Sequence, residues 1–443
     1  MSWRDTVETG ELIMAESRSV LDPEVIKRCE DIGCADIVVG IPSFRNADTI
    51  AHVVRAAAEG MVRYFPGLRP VIVNSDGGST DDTVEVVLQT PVPPEVEKIV
   101  TPYRGLPGKG SAFNAIFEIA SRLRARICIV VDSDLRSITP EWIRLLGEPV
   151  WNNSYGFVAP YYIRHKYDGT ITNGLAYPLT QALYGRRIRQ PIGGDFGFTG
   201  SLALLFSHMD VWKTDIAKFG IDIWMTTTAL TEGFRVCQSA MGVKIHNVKD
   251  PGSDLGSMFT QVASTIFYLM GVHEVKWMRV RGSTAVRTFG DVRYEEPAIM
   301  EISVENLIDH FESGHPDYRE LWERVLEPAN MLEVSFAMQA LKEEEFSFPE
   351  NLWAKIVYDF AVAYNFDCDV SRRELVQSLV PLYCARTADN AIRTRNMTSM
   401  EAEQLVQRQA EEFEWLKPYL VEKWLRGKAQ ATEAPQDLLP ISS

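Results

Sequence analysis

Asp132 and Asp134 flank a single serine at the end of an apolar run, in the stretch RICIVVDSD. If the strand stays extended through the triplet, both carboxylates project to one side, because strand side chains alternate with period two. Like charges so placed push one pKa upward unless a cation keeps both ionised, and hard oxygen ligands favour Mg2+ or Mn2+. The alternative is that these acids cap a helix starting near Thr139 or are simply solvated. His246, in MGVKIHNVKDPG, follows a strand-like run and could complete such a shell, although a lone histidine is often structural. Lys109, in YRGLPGKGSA, stands at a helix entrance where exposed N–H groups and an ammonium suit phosphate. The P-loop spacing GxxxxGK is not met, since Tyr103 takes the place of its first glycine and Gly110 follows the lysine instead of Ser or Thr. Asp76, in VNSDGGSTDDT, could accept from a nucleobase or ribose, or close an Asx turn. Asp222, in KFGIDIWMTTTALTEG, lies near a helix start and could be only an N-terminal cap. The glycines of GGDFGFTG permit close backbone approach but lack the strand-to-helix context of a dinucleotide fingerprint.

These residues need elements to hold them. DIVVGIPSF from Asp36, PVIVNSD from Pro70, VEKIVTPY from Val96 and RICIVVDSD from Arg126 are short and rich in β-branched residues, and predict strands. Between them, 48–64, 80–88 and 110–124 carry helical patterning. Continuous apolar strands alternating with helices predict an α/β sandwich with a largely parallel sheet, whose ligands bind beyond the strand carboxyl ends. The section from about Tyr155 to Val248 is mixed and glycine-rich. After Arg281 the amphipathic stretches EISVENLIDHFESGHPDYRELWERVL, ENLWAKIVYDFAVAYNF and SMEAEQLVQRQAEEFEWLKPYLVEKWL predict a helical C-terminal region, structural or forming a homo-oligomer interface. The expected organisation is an N-terminal helical extension over 1–34, a catalytic domain over 35–280 with halves at about 35–150 and 151–280, a helical domain over 281–426, and a disordered tail over 427–443.

The chain has 443 residues, 46% hydrophobic and 10% aromatic, enough for two packed units. Its formal charge of −15 disfavours a nucleic-acid binder that relies on broad phosphate neutralisation, while leaving an anionic small substrate possible. Six scattered cysteines without CxxC fit reduced thiols in a cytoplasm, and Cys128 reads as core. The N-terminus lacks an uninterrupted apolar core of a signal peptide, and no stretch has the apolar length to span a bilayer.

Taken together, IPSFRNADT, SDGGSTDDT, GLPGKGSA, VVDSDL, YPLTQALYGRRIRQPIGGDFGF, FGIDIW and MGVKIHN resemble, in order, the GT-A glycosyltransferases. The specific resemblance is to the retaining enzymes that make glucosyl-3-phosphoglycerate, glucosylglycerate or mannosylglycerate. It implies a GT-A, Rossmann-like nucleotide-diphospho-sugar transferase sandwich. It further implies that Pro42, Ser43 and Asp76 hold the nucleoside, with Ser133 beside the donor. Lys109 would reach the diphosphate, and Asp134 and His246 would ligate Mg2+ or Mn2+, with Asp132 near ribose or metal. Asp222 takes the acidic position beside acceptor and sugar, one methylene shorter than the family's usual glutamate. YDGTITN matches the acceptor loop, with Gly169 and Thr172 as contacts; Thr170 stands where enzymes using 3-phosphoglycerate commonly carry arginine, and Arg164 or Lys166 could substitute.

The implied reaction is transfer of a hexose, glucose first, from a nucleoside diphosphate sugar to D-glycerate with retention, giving a compatible solute of the glucosylglycerate type. UDP-glucose, GDP-glucose and GDP-mannose remain open as donors, and 3-phosphoglycerate as acceptor. Two other classes fit the same residues: a metal-dependent nucleotidyl or phosphoryl transferase, and a non-catalytic nucleotide-sugar-binding protein.

Overall fold

The computed structural model describes residues 19–246, 256–341, 346–367 and 369–433. In chain order its strands are β1 (Ile37–Ser43), β2 (Pro70–Asp76), β3 (Glu97–Pro102), β4 (Ile127–Val130), β5 (Phe157–Ile163), β6 (Arg186–Arg187), β7 (Phe196–Thr199), β8 (Val236–Val243), β9 (Thr284–Ala285) and β10 (Thr288–Phe289). Its α-helices are α1 (Pro23–Ile32), α2 (Ile50–Tyr64), α3 (Thr83–Gln89), α4 (Lys109–Arg122), α5 (Pro140–Asn153), α6 (Tyr177–Tyr184), α7 (Gly200–His208), α8 (Ile221–Thr231), α9 (Gly256–Val272), α10 (Glu274–Trp277), α11 (Val304–Val325), α12 (Pro328–Ala340), α13 (Glu350–Phe366), α14 (Arg372–Thr394), α15 (Ser399–Trp415) and α16 (Lys417–Glu433). The fold class expected from the sequence is the one found: a mixed α/β sheet followed by helices.

Contacts divide the chain into two compact units. The first comprises the described parts of Met1–Arg164, Ile188–Val248 and Ala285–Pro297, and the second those of His165–Arg187, Lys249–Thr284 and Ala298–Ser443. This partition follows contacts rather than the sequence boundaries at 280 and 281, because the helical parts of 165–187 and of 256–284 pack with the later helices.

In the first unit eight strands form one sheet in the order β10-β8-β5-β7-β4-β1-β2-β3. All pairs are parallel except those of β7, which runs against both β4 and β5. Alternation along the strands feeds two faces. Ile37, Val39, Ile41, Ile127 and Ile129 join Val53, Val54 and Met61 of α2 and Trp142, Ile143 and Leu146 of α5 in one core. On α4, Phe117 packs its ring 5.7 Å from Phe198 and 5.2 Å from Phe206. Cys128 is buried, as expected, and burial pushes its thiol well up.

Strand β4 is shorter than the sequence suggests. It stops at Val130, and Asp132 turns its N–H to the Asp195 carboxylate at 2.8 Å. The extended conformation supposed for the Asp-Ser-Asp triplet is therefore not adopted, because a side chain instead of a neighbouring strand takes the next hydrogen bond.

In the second unit α13 is buried along most of its length, and Trp353 donates its indole N–H to the Gly174 carbonyl at 2.7 Å. Helix α14 was not singled out in the sequence, since its buried residues lie all around it from Leu375 to Ala391 and leave no one-sided stripe. Helix α16 runs to Glu433, so 427–433 are helical and not a disordered tail. The Ala, Lys, Gln and Glu residues there are good helix formers, and Gly427 lies close against Val362 and Phe366. Residues 434–443 and Cys368 lie outside the described residues, and the five described cysteines are free thiols.

Candidate functional site

Because β7 is reversed, its first residue arrives at the same sheet edge as the last residues of β4, β5 and β8. Ligand crevices of open α/β sheets form at that carboxyl edge. Asp132 follows β4, Tyr162 ends the core of β5, Asp195 precedes β7 and Lys244 follows β8. Two helix starts complete the set, with Lys109 opening α4 and Asp222 in the first turn of α8.

These groups form an alternating chain of charges. Lys109 Nζ lies 2.8 Å from Asp132 Oδ1 and 3.2 Å from Asp222 Oδ1. Lys244 Nζ donates to Asp132 Oδ2 at 2.9 Å, Asp195 Oδ2 at 2.8 Å and the Gly193 carbonyl at 2.9 Å. Tyr162 donates its hydroxyl to Asp195 Oδ2. Lys244 and Asp195 are almost solvent-free, at 3% and 0% side-chain exposure, and a buried ion pair of this kind depends on the hydrogen bonds around it. Burial alone would raise the Asp132 pKa, but Lys109 and Lys244 outweigh it and hold that carboxyl well below the ordinary range. Burial likewise opposes charge on Lys109, yet Asp132 and Asp222 keep its pKa above that of a free lysine. The positive groups between the acids are therefore lysines as far as Asp132 is concerned.

Asp222 differs. Burial raises its pKa, Lys109 lowers it and Asp132 raises it again, with a net upward shift. Its Oδ1 is buried and, beyond the ion-pair approach of Lys109 at 3.2 Å, accepts no aligned hydrogen bond among the described residues. With two lone pairs and one ammonium neighbour, that oxygen can also take a hydroxyl donor from a ligand.

Asp134 is half-buried and has no hydrogen-bond or ion-pair partner among the described residues. Burial raises its pKa first, then the Asp132 charge, with Lys244 and His246 pulling the other way and Asp195 adding to the rise. Such a carboxylate gains from a cation. His246 Nε2 lies 3.2 Å from Arg164 Nη2. A guanidinium has no acceptor, so Nε2 is the acceptor and the ring proton belongs on Nδ1. Asp134 would supply one oxygen and His246, once Arg164 turns away from Nε2, one nitrogen, a set that fits Mg2+ or Mn2+ when substrate phosphate and water fill the remaining positions. Among the described residues, no group of three or more His, Cys, Asp or Glu side chains is placed to hold a metal alone.

The residues expected to hold a nucleoside lie on the far half of the edge. Pro42 and Ser43 end β1, opposite Ser75 and Asp76 of β2. Asp76 already accepts four hydrogen bonds: Gly78 N at 2.9 Å and Ser79 N at 2.7 Å on Oδ1, Ser43 Oγ at 2.8 Å and Ser79 Oγ at 2.7 Å on Oδ2. A carboxylate offers about four lone-pair sites. The Asx-turn alternative is thus realised, and a nucleoside contact by Asp76 would displace one of these donors. Ser133 is also committed, donating to Asn46 Oδ1 at 2.8 Å while its carbonyl accepts from Thr49 Oγ1 at 2.8 Å.

The glycine in the first turn of α4 is required by packing. A Cβ on Gly110 would meet the Ile216 carbonyl oxygen at 1.9 Å, and Gly110 N donates to the Lys218 carbonyl at 3.1 Å. Gly194 has φ +89°, and a Cβ there would lie 2.2 Å from Asp132 Oδ2.

Gly169 and Thr172 belong to the second unit. Gly169 has φ +70°, and Thr172 is buried at the start of a short π-helical turn, Thr172–Ala176. The Thr170 hydroxyl pairs with Tyr383 Oη at 2.5 Å. Lys166 Nζ is taken by the carbonyls of Thr394, Arg395 and Met397 at 2.8, 3.0 and 2.6 Å.

Sequence reasoning missed Lys244, Asp195 and Tyr162. The signals were an aspartate between glycines in GGDFGF and a lysine directly after an apolar strand in GVKIH.

Residues 38–209 match the model of glycosyl transferase family 2. The matched segment contains Lys109, Asp132, Asp134 and Asp195, whereas Asp222, Lys244 and His246 lie beyond its end; the match agrees with the GT-A resemblance of the ordered motifs. Among solved structures the chain is similar to glucosyl-3-phosphoglycerate synthase from Mycobacterium tuberculosis in complex with Mg2+ and uridine-diphosphate, at 21% identity over 55% of this chain and 82% of that one, with TM-score 0.42. The same enzyme with Mn2+, uridine-diphosphate-glucose and phosphoglyceric acid aligns at 21% identity over 56% and 84%, with TM-score 0.42. A structure described as a mycobacterial protein aligns at 24% identity over 55% and 78%, with TM-score 0.41. No curated protein matches the chain. No described helix is long and apolar enough to cross a membrane.

Proposed function

We propose that the chain is a metal-dependent, retaining hexosyltransferase that moves a hexose, glucose first, from a nucleoside diphosphate sugar to D-glycerate. The observation that carries this reading is the sheet-edge cluster of Lys109, Asp132, Asp222 and the unpartnered Asp134, which begins inside the family 2 segment. Four carboxylates there, Asp132, Asp134, Asp195 and Asp222, face three cations, Lys109, Lys244 and Arg164. A diphosphate would add negative charge to that balance, so the site requires a divalent ion to accompany it.

Asp134 and His246 would hold that ion, which when bound neutralises charge developing on the leaving diphosphate. Lys109 would serve the same oxygens. Two of its hydrogens point to Asp132 and Asp222, and the third remains for a ligand oxygen. Asp132 would keep the ammonium in place, and Asp222 would use the remaining lone pair of Oδ1 to orient an acceptor or sugar hydroxyl. The acceptor hydroxyl would attack from the leaving-group face and pass its proton to a diphosphate oxygen, with no separate strong base. A double displacement would need a positioned nucleophile instead. Pro42, Ser43, Asp76 and Ser133 would line the nucleoside side.

For the acceptor, Arg164 and Asp222 of the first unit are proposed. Thr170 is committed to Tyr383 and offers no cation, and Lys166 is saturated by carbonyls. Both favour unphosphorylated glycerate over 3-phosphoglycerate, whose extra phosphate would want a bidentate partner. A homo-oligomer belongs to the same proposal, because Leu332 and Phe336 are exposed one turn apart on α12, at 54% and 58%; sedimentation velocity giving only monomer would remove it.

The test is a matrix of UDP-glucose, GDP-glucose and GDP-mannose against D-glycerate and 3-phosphoglycerate, with Mn2+ or Mg2+, read by product mass and anomeric configuration. An α-linked glucosylglycerate is expected. Absence of transfer across the matrix, or a β product, would refute the reading.

A further inference from the structure

We propose that the Lys244 ammonium is a built-in counter-ion occupying the position a second divalent cation would take, so that the site accepts one ion only, at Asp134. Lys244 Nζ sits among three oxygens, Asp132 Oδ2, Asp195 Oδ2 and the Gly193 carbonyl, at 2.9, 2.8 and 2.9 Å. Two are anionic and one is a carbonyl, which is the ligand chemistry of Mg2+, Mn2+ or Ca2+. Metal–oxygen distances of roughly 2.0–2.6 Å would require these oxygens to close in by only about half an ångström. All three ammonium hydrogens are used, so Lys244 has none for a substrate, unlike Lys109.

The surroundings favour a fixed charge over an exchangeable one. Lys244 is 3% exposed and Asp195 fully buried, with Tyr162 closing the other side of Asp195. Gly194 leaves no room between this backbone and Asp132, which keeps Asp132 Oδ2 against the ammonium. Asp132 is thereby held ionised whatever the metal concentration. The pull of Lys244 also reaches Asp134.

This bears on the choice of reaction. Two-metal phosphoryl or nucleotidyl transfer uses a pair of ions about 3.5–4 Å apart. With one cation position already filled by a lysine, the edge is suited to a single ion that escorts a diphosphate. The inference deepens the proposed donor site and rests on that reading for its consequence, although the ion count can be measured independently.

The experiment counts bound Mn2+ by the loss of its free EPR signal, in the full chain, Lys244→Ala and Lys244→Ala/Asp195→Asn, each with and without UDP. Lys244→Ala is expected to bind one more Mn2+ per chain than the unaltered protein, and the double variant to lose that gain. Circular dichroism with and without Mn2+ accompanies the count; a Lys244→Ala chain that folds only with Mn2+ also supports the inference. An unchanged count in folded Lys244→Ala, a gain that survives in the double variant, or a Lys244→Ala chain that stays unfolded in Mn2+ would overturn it. An unaltered protein that takes up no Mn2+ even with UDP would instead overturn the one-ion donor reading, and the difference between the proteins would still decide the role of Lys244.

Discussion

Replacing Gly194 by alanine tests the lysine clamp on Asp132. The new Cβ would lie 2.2 Å from Asp132 Oδ2, well inside the 3.0 Å that real Cβ contacts respect. A carboxylate tip ordinarily gives way, but here two ammonium groups hold it at 2.8 and 2.9 Å. Moving it by nearly an ångström sacrifices a charge-assisted hydrogen bond worth roughly 1.5–3 kcal/mol. The φ of +89° adds a left-handed penalty of about 1–2 kcal/mol for any side chain. The expected loss of stability is therefore about 2.5–5 kcal/mol, the sum of those two ranges. Gly233 supplies the control, with φ +77° and nothing within 4 Å of its Cβ position, so Gly233→Ala should show the backbone penalty alone. Urea unfolding of both variants isolates the difference, roughly 1.5–3 kcal/mol. Transfer activity of Gly194→Ala should also fall on the order of 100-fold, as displacement of a positioned group by an ångström does. A Gly194→Ala protein no less stable than Gly233→Ala would refute the argument that Asp132 is clamped.

Arg164→Ala should free His246 Nε2 and remove a nearby positive charge, so Mn2+ should bind several-fold more tightly by EPR titration; weaker binding would show that Arg164 supports the ion instead of competing with it. Lys417 is held down to about 8, first by burial and then by Arg281, against 10.5 for an ordinary lysine. Between those values the unfolded chain binds more protons than the folded one, so this residue makes stability rise with pH through that window. Lys417→Met should flatten the rise in urea midpoint measured from pH 7.5 to 10, and an unchanged slope would contradict the assignment.

The fold was legible where information is local. Strands β1 to β3 were recovered nearly to the residue, because β-branched runs closed by Pro, Gly or Asp need no distant partner to be recognised. Lys109, Asp132, Asp134, Asp222 and His246 stood out because they fall in ordered motifs at the ends of predicted strands and helices. What could not be read is which strands become neighbours. Asp195 reaches Asp132 only because β7 inserts in reverse between β4 and β5, a pairing set by the whole sheet and not by the letters GGDFGF. Lys244 likewise looks like any lysine past an apolar strand until Asp132 and Asp195 are placed around it. Asp76 shows the opposite failure: its letters suited both a turn and a ligand contact, and only the count of donors around it showed the turn.

The contact of Gly110 with Ile216 and Lys218 joins the front of α4 to the segment that leads into α8. No side chain intervenes there to act as a bearing, so the carriers of Lys109 and Asp222 are coupled like two jaws cast in one piece. Thermal motion of either should drag the other along, and the gap between ammonium and carboxylate should keep its width whether or not a sugar nucleotide is present.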